Sequence, residues 1–202
     1  RENAPQTPIL VVDSTVEPFR HQELEQTFDA RVVIGDITNR FFLRQLRLHR
    51  ARRIAMLSDD SFQVYEAGSQ IVGLYPSLAD KLILHCDNLR FMRAMADSEL
   101  AQGSITFNSY NLAATGLVRD LLIPHIKRTE SRDLVVIAGF GRFGQTILEQ
   151  LHDKAPAEVD RYALIDTDVD RRMLVVREQE RLDEDRSIEI FRGDVSHPDV
   201  WR

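Results

Sequence analysis

Cys86 is the only cysteine in this chain, so no internal disulfide can form and no thiol-rich metal centre can be built. No Cys/His spacing suggests zinc either, and a reducing compartment is the expectation. Apolar runs are short: none approaches the ~18 residues that a bilayer-spanning helix needs, and no signal-peptide pattern is visible. Basic charge is also in deficit. With 26 Lys and Arg against 32 Asp and Glu the net charge is −6, which argues against a nucleic-acid-binding face. The arginines between Arg44 and Arg53 and at Arg171-Arg172 read as solvated helix faces. Catalytic arrangements are missing as well. None of the four tyrosines has a lysine four positions on, and there is no nucleophile elbow, P-loop lysine or metal-binding histidine pair. The chain is therefore not expected to be an enzyme by itself.

What is present is ordinary globular material. Hydrophobic residues make up 43% and charged residues 29% of 202 residues, enough to fill the core of one or two domains. Arg1 is not an initiator residue, so the chain is expected to be a piece of a longer protein, one that can carry membrane segments elsewhere. Strand and helix patterns alternate from end to end. Strands are predicted at 8–13, 30–34, 53–57, 82–86 and 105–107, with helices at 18–28, 40–48, from Ser58-Asp59-Asp60 to about Leu74, and 88–101. A further helix over 110–123 carries one apolar stripe of Leu112, Ala113, Gly116, Leu117, Leu121 and Leu122, suited to a sheet or a partner subunit. The near-continuous β-branched runs call for parallel strands covered on both faces. His85, inside such a strand, reads as a satisfied core residue. Residues 124–132 are polar and aperiodic, the natural linker between a unit at 1–123 and one at 133–202.

The second unit opens with the most informative stretch. The strand Leu134 to Ala138 enters Gly139-Phe140-Gly141-Arg142-Phe143-Gly144, and an amphipathic helix leaves it. In this strand–turn–helix context a G-x-G-x-x-G run is a phosphate cradle. Gly139 allows the tight turn, Gly141 lets a phosphate approach the backbone, and Gly144 lets helix and strand pack closely. The helix start adds N–H donors and a partial positive charge. A second apolar strand, Tyr162 to Ile165, ends in Asp166, 22 residues after Gly144, the spacing at which a carboxylate grips a ribose hydroxyl. A carboxylate there disfavours a 2′-phosphate, although Arg171-Arg172 keeps NADP in view. Arg142 suits a phosphate. Phe140 and Phe143 pack rather than stack on a base. The acids Asp166, Asp168 and Asp170, and Asp59 and Asp60, would suit calcium or magnesium; helix capping is the reading preferred for both groups.

The chain also repeats itself in part. Ile9 to Arg20 is similar to Ala163 to Arg172, and Val32-Val33-Ile34-Gly35-Asp36-Ile37-Thr38 to Ile190-Phe191-Arg192-Gly193-Asp194-Val195-Ser196. The first acid and the Gly-Asp pair are 22 residues apart in one copy and 27 in the other. Neither copy is whole: the first has no strand or glycine turn before its acid, and the second stops after its third strand.

Together the glycine run, the Leu164-Ile165-Asp166-Thr167-Asp168 strand end and Gly193-Asp194-Val195-Ser196-His197-Pro198-Asp199-Val200 resemble the N-terminal domain of TrkA-type potassium-uptake regulators, also called RCK or KTN. The resemblance covers nearly the whole chain as parts of two tandem copies. It implies Rossmann-like doubly wound parallel sheets, tandem or joined into one composite sheet, on the cytoplasmic side of a membrane. It implies an adenine nucleotide, NAD(H) or ATP/ADP, bound to paired domains in a dimer or larger ring that acts on an attached potassium channel or transporter. By position, Gly139, Phe140, Gly141, Arg142, Phe143 and Gly144 would surround the phosphates. Asp166, Thr167 and Asp168 would face the ribose, and Asp194 and Val195 the adenine. Asp13, Gly35, Asp36 and Ile37 match the ribose and base positions of the first copy, and Ser58 and Asp59 follow its fourth strand. The alternative is the nucleotide-binding part of an NAD-dependent oxidoreductase whose catalytic domain lies outside the chain.

Overall fold

Ile9–Asp13 (β1) and Ala30–Ile34 (β2) are short β-branched runs joined by Pro18–Phe28 (α1), whose proline occupies the first helical turn and needs no N–H there. The helix ends at Asp29 in the left-handed region. β1 and β2 pair in parallel register from Ile9↔Ala30 to Asp13↔Ile34. The computed structural model describes residues 8–129, 133–180 and 187–201.

Arg40–Gln45 (α2) begins at Asn39, whose side chain accepts from the N–H groups of Phe41 and Phe42. Ile54–Met56 (β3), Ser61–Leu74 (α3) and Leu82–His85 (β4) follow. The stretch predicted as one helix over 88–101 is two, Leu89–Ala94 (α4) and Glu99–Gly103 (α5). Asn88 and Ser98 each cap a new N-terminus with a side-chain oxygen, and a polar cap inside a helical pattern competes with helix continuation. Ile105–Phe107 (β5) completes a parallel three-stranded sheet of order β3-β4-β5. Its core holds Leu43, Met56, Val64, Ala67, Ile71, Leu78, Leu82, Leu84 and Leu100. His85 is half-buried rather than a core residue; its Nδ1 lies 3.3 Å from the Ser58 carbonyl oxygen and its ring against Phe107.

The helix over 110–123 starts at Ser109–Leu117 (α6), passes through a π-helical turn at Val118–Leu122 and ends as Ile123–Ile126 (α7). Pro124 has no N–H to give residue 120, and the wider turn absorbs that gap. Its buried side is also displaced from the expected stripe. Ala114, Val118 and Ile126 are buried, whereas Leu112 and Leu121 are 65% and 63% exposed. The residues divide into two compact units, Arg1–Asn108 and Ser109–Arg202, so this helix belongs to the second unit and packs along Arg142–Lys154 (α8). The unit boundary thus precedes the 124–132 stretch read as a linker, of which residues 130–132 lie outside the described set.

The second unit continues with Asp133–Ala138 (β6), α8, Val159–Asp166 (β7), Val169–Glu180 (α9) and Ser187–Arg192 (β8). The order is β6-β7-β8, all parallel. Central β7 is buried over Tyr162 to Asp166, as a strand covered on both faces should be. Phe140, Leu148, Leu151, Tyr162, Leu164, Val169 and Met173 form its core together with Val118 and Ile126. The described strands therefore make three separate parallel sheets rather than one composite sheet. By the repeat, β1 and β2 correspond to β7 and β8, the second and third strands of the other copy, and β3 to β5 form a separate sheet. The first-place strand that would join them is absent among the described residues of that unit. Ile9, Leu10 and Ile34 are exposed accordingly.

Leu164 is fully buried in the second core, so Leu164→Ala is expected to cost about 2–5 kcal/mol, read as a lowered urea midpoint at unchanged slope.

Candidate functional site

The second unit gathers its polar chemistry at the C-terminal ends of β6, β7 and β8, where open α/β sheets bind ligands. Gly139, just past β6, has φ +92°, a conformation that side-chain-bearing residues rarely adopt. Its N–H donates to the Ile165 carbonyl at 2.8 Å. A Cβ on Gly144 would collide with the Gly139 carbonyl oxygen and sit 3.2 Å from Ile137 Cγ2. Both glycines are therefore demanded by the fold. Gly141 is different: a Cβ there would meet only Arg172 Nη1, at 3.8 Å, and its φ of −70° suits any residue. The protein has no steric use for glycine at 141.

Asp166 lies across from this turn, 9% exposed. Its Oδ2 accepts from the Phe140 N–H at 2.7 Å and from Arg172 Nη1 at 2.7 Å. Its Oδ1 accepts from the Asp168 N–H at 2.9 Å and, more weakly, from the Thr167 hydroxyl at 3.4 Å. Burial pushes this carboxyl upward, but the two backbone donors, the Arg172 charge and Thr167 together hold it below its ordinary value. Phe140 is fully buried, so its ring belongs to the core and its N–H to Asp166. Phe143 is partly exposed.

Arg142 is exposed at the first position of α8, its guanidinium 5.8 Å from the Tyr110 ring centroid. Arg192, at the end of β8, donates to the Thr167 carbonyl at 3.3 Å. Asp168 faces Arg171 at 3.9 Å. The acids near 166 are thus partnered by guanidinium groups, and no group of three or more His, Cys, Asp and Glu capable of holding a metal gathers among the described residues. Cationic side chains around a glycine turn and a helix start suit a diphosphate. Tyr110 and Arg192 were not singled out from the sequence; the only signal for Arg192 was its place before Gly193.

The Gly-Asp segments show how far the internal repeat goes. Gly193 N–H donates to the Asp166 carbonyl at 3.2 Å, and Gly35 N–H to that of Asp13 at 2.8 Å. Asp194 Oδ1 accepts from the Ser196 N–H and hydroxyl at 2.9 and 2.7 Å. Asp36 Oδ1 accepts from those of Thr38 at 2.8 and 2.7 Å. These bonds hold both carboxyls below their ordinary value. Asp13 and Asp166 each take the N–H two residues on. Gly139 to Gly144, Asp166 to Asp168, and Asp194 with Val195 are thus brought to one sheet end. Asp13, Gly35, Asp36 and Ile37 follow the ends of β1 and β2, without a glycine turn. Ser58 and Asp59 follow β3 in another sheet. Asp59 lines an open hollow of about 470 Å³ with Asp60, Ser61, Phe62, Asp87 and Asn88. Three carboxylates there repel phosphate, so the glycine turn, not this hollow, is the candidate site. Asp60 caps α3 through Phe62 and Gln63.

Residues 135–202 match the family model of the TrkA-N domain. The match is confined to this segment, so the expected second, partial tandem copy goes beyond it; the likeness of residues 9–38 rests on the local geometry above. No curated protein matches the chain. The crystal structure of GsuK bound to ADP is similar with a TM-score of 0.60 at 21% identity, covering 96% of this chain and 43% of that one. At that identity the likeness concerns the fold, and the chain spans less than half of the GsuK chain.

Gly144→Ala is expected to cost about 1–3 kcal/mol through overpacking, whereas Gly141→Ala should stay within about 1 kcal/mol of the parent; thermal melts separate the two. The folded state lowers the pKa of Asp166, so that contribution is complete above the unfolded value of about 3.9 and declines as pH falls below it. Urea titrations between pH 3 and 6 should therefore show an acid-side loss of stability that Asp166→Asn makes shallower, with a cost at neutral pH of about 1–3 kcal/mol.

Proposed function

We propose that the chain, whose residues 135–202 match the TrkA-N family model, is a non-catalytic sensing module that holds an adenine nucleotide across the turn 139–144. The observation that carries this reading is Gly141. Its two neighbours in the motif are glycines because the backbone requires it, while Gly141 borders open space and one guanidinium. A close-approaching ligand explains a missing side chain there. Asp166 on the adjacent strand is the ribose partner, Arg142 and the α8 amides the phosphate partners, and Asp194 and Val195 the adenine side. ADP, ATP and NAD(H) all fit this order of groups; ADP, which the GsuK structure holds, is the first to test.

Regulation then follows from differential affinity. A nucleotide that prefers one arrangement of paired domains biases whatever is attached to them, and a coupling of about 1–3 kcal/mol gives a 5- to 150-fold effect. We place the module on the cytoplasmic side, acting on a potassium channel or transporter. The exposed Leu112 and Leu121 support self-association through the helix over 109–126. Among the described residues no helix is long and apolar enough to cross a membrane.

Calorimetry with ADP, ATP, NAD and NADH tests the reading. At least one is expected to bind with Kd well below about 1 mM; binding by none of them defeats it. Gly141→Asp should abolish binding with little change in melting temperature, and retained binding would put the phosphates elsewhere. Light scattering should give a dimer or larger species, shifted toward monomer by Leu112→Gln with Leu121→Gln; a monomer at high concentration removes the paired-domain step.

A further inference from the structure

The carboxylate of Asp166 has about four lone-pair positions, and this structure fills all of them. Phe140 N–H and Arg172 Nη1 take Oδ2; Asp168 N–H and the Thr167 hydroxyl take Oδ1. Two of those donors are backbone groups fixed by the turn after β6 and by the start of α9. A sugar hydroxyl that is to donate to this acid must therefore take a place from Arg172 or from the weak Thr167 contact. Breaking an ion pair at a carboxylate that is almost wholly buried is costly unless both partners are re-satisfied, the acid by the sugar hydroxyl beside its two backbone donors and the guanidinium by another anion.

Such an acceptor position is adjacent. The nitrogen that bonds Asp166, Arg172 Nη1, is also the atom nearest the place a Gly141 side chain would occupy. A phosphate passing over Gly141 comes within reach of the same guanidinium. Arg172 lies one turn into α9, and its side chain is 35% exposed, so it has solvent on one side and room to turn. The first copy lacks the device: the residue six positions after Asp13 is Phe19, and Arg20, the next, pairs with Glu23.

We propose that Arg172 is an exchange residue, paired with Asp166 until a nucleotide arrives and then transferred to the ligand's 5′-phosphate, so that the sugar gains the acid only when a phosphate takes the arginine. This rests on the nucleotide reading above and adds a selection rule to it. Phosphate-bearing adenosine compounds gain both contacts, whereas a bare nucleoside must break an ion pair with nothing to replace it. The residue sets specificity without touching the base.

The test compares ADP and adenosine by calorimetry on the wild-type chain and on Arg172→Gln, with Arg172→Lys as the conservative variant. Arg172→Gln should weaken ADP binding about 10- to 100-fold, the worth of a charge-assisted contact, while adenosine binding is unchanged or strengthened. Arg172→Lys should fall between wild type and Gln for ADP. Equal loss for both ligands in Arg172→Gln would mean a merely structural part and overturn the proposal, as would an unchanged ADP affinity; in both cases the nucleotide site itself stands. A preference of the wild type for NADP over NAD that Arg172→Gln removes would put the guanidinium on the 2′-phosphate and overturn the 5′ assignment. If wild type binds no ADP at all, the site reading fails and the proposal with it.

Discussion

The hydrogen bond from the Phe140 N–H to Asp166 organises the second unit. It ties the turn after β6 to the tip of β7 through a buried side-chain acceptor. The bond closes a short circuit of contacts: the Gly139 N–H reaches the Ile165 carbonyl, the Asp166 carbonyl receives the Gly193 N–H, and the Asp166 side chain returns to residue 140. All three strand ends are thereby fixed against one another by backbone donors. On the proposed reading Arg172 is then the member of this cluster free to move toward a ligand, because the backbone bonds hold the strand ends without it.

The first unit shows what the same sequence logic yields without that circuit. Asp13, Gly35, Asp36 and Thr38 repeat the local bonds that Asp166, Gly193, Asp194 and Ser196 make to neighbouring backbone and hydroxyl groups. With no glycine turn beside it, however, Asp13 is exposed, and the β1-β2 sheet has little covering it. An acid-tipped strand and a Gly-Asp turn are therefore a portable local device. They become a site only beside a strand that supplies opposing amides.

Periodicity and caps made most elements readable in advance: α1 and β2 fall on their predicted residues, and Asp60 and Asn39 begin helices through side-chain acceptors any reader can find. Three things were not readable. The break before Ser98, and the π turn before Pro124, come from local competition that an apolar stripe conceals. The buried side of the helix over 109–126 was misplaced because Leu112 and Leu121 are the bulkier apolar residues, while the close packing along α8 accepts the smaller Ala114 and Val118. The pairing of Arg172 with Asp166 depends on a side-chain direction across the helix start, which spacing alone leaves open. The glycine motif was legible, but the differing reasons for its three glycines were not, because those reasons lie in what each position faces.

That difference separates foldability from competence. Two of the three glycines are enforced by the polypeptide itself, and a descendant that changed them would suffer visibly. The third answers to nothing inside the molecule. On the proposed reading, a lineage freed from its effector could place a methyl group there and still fold, express and melt much as before, having gone deaf without any outward sign. Intactness and responsiveness are for this reason separate properties of the chain, and a well-folded preparation is no proof of a listening one.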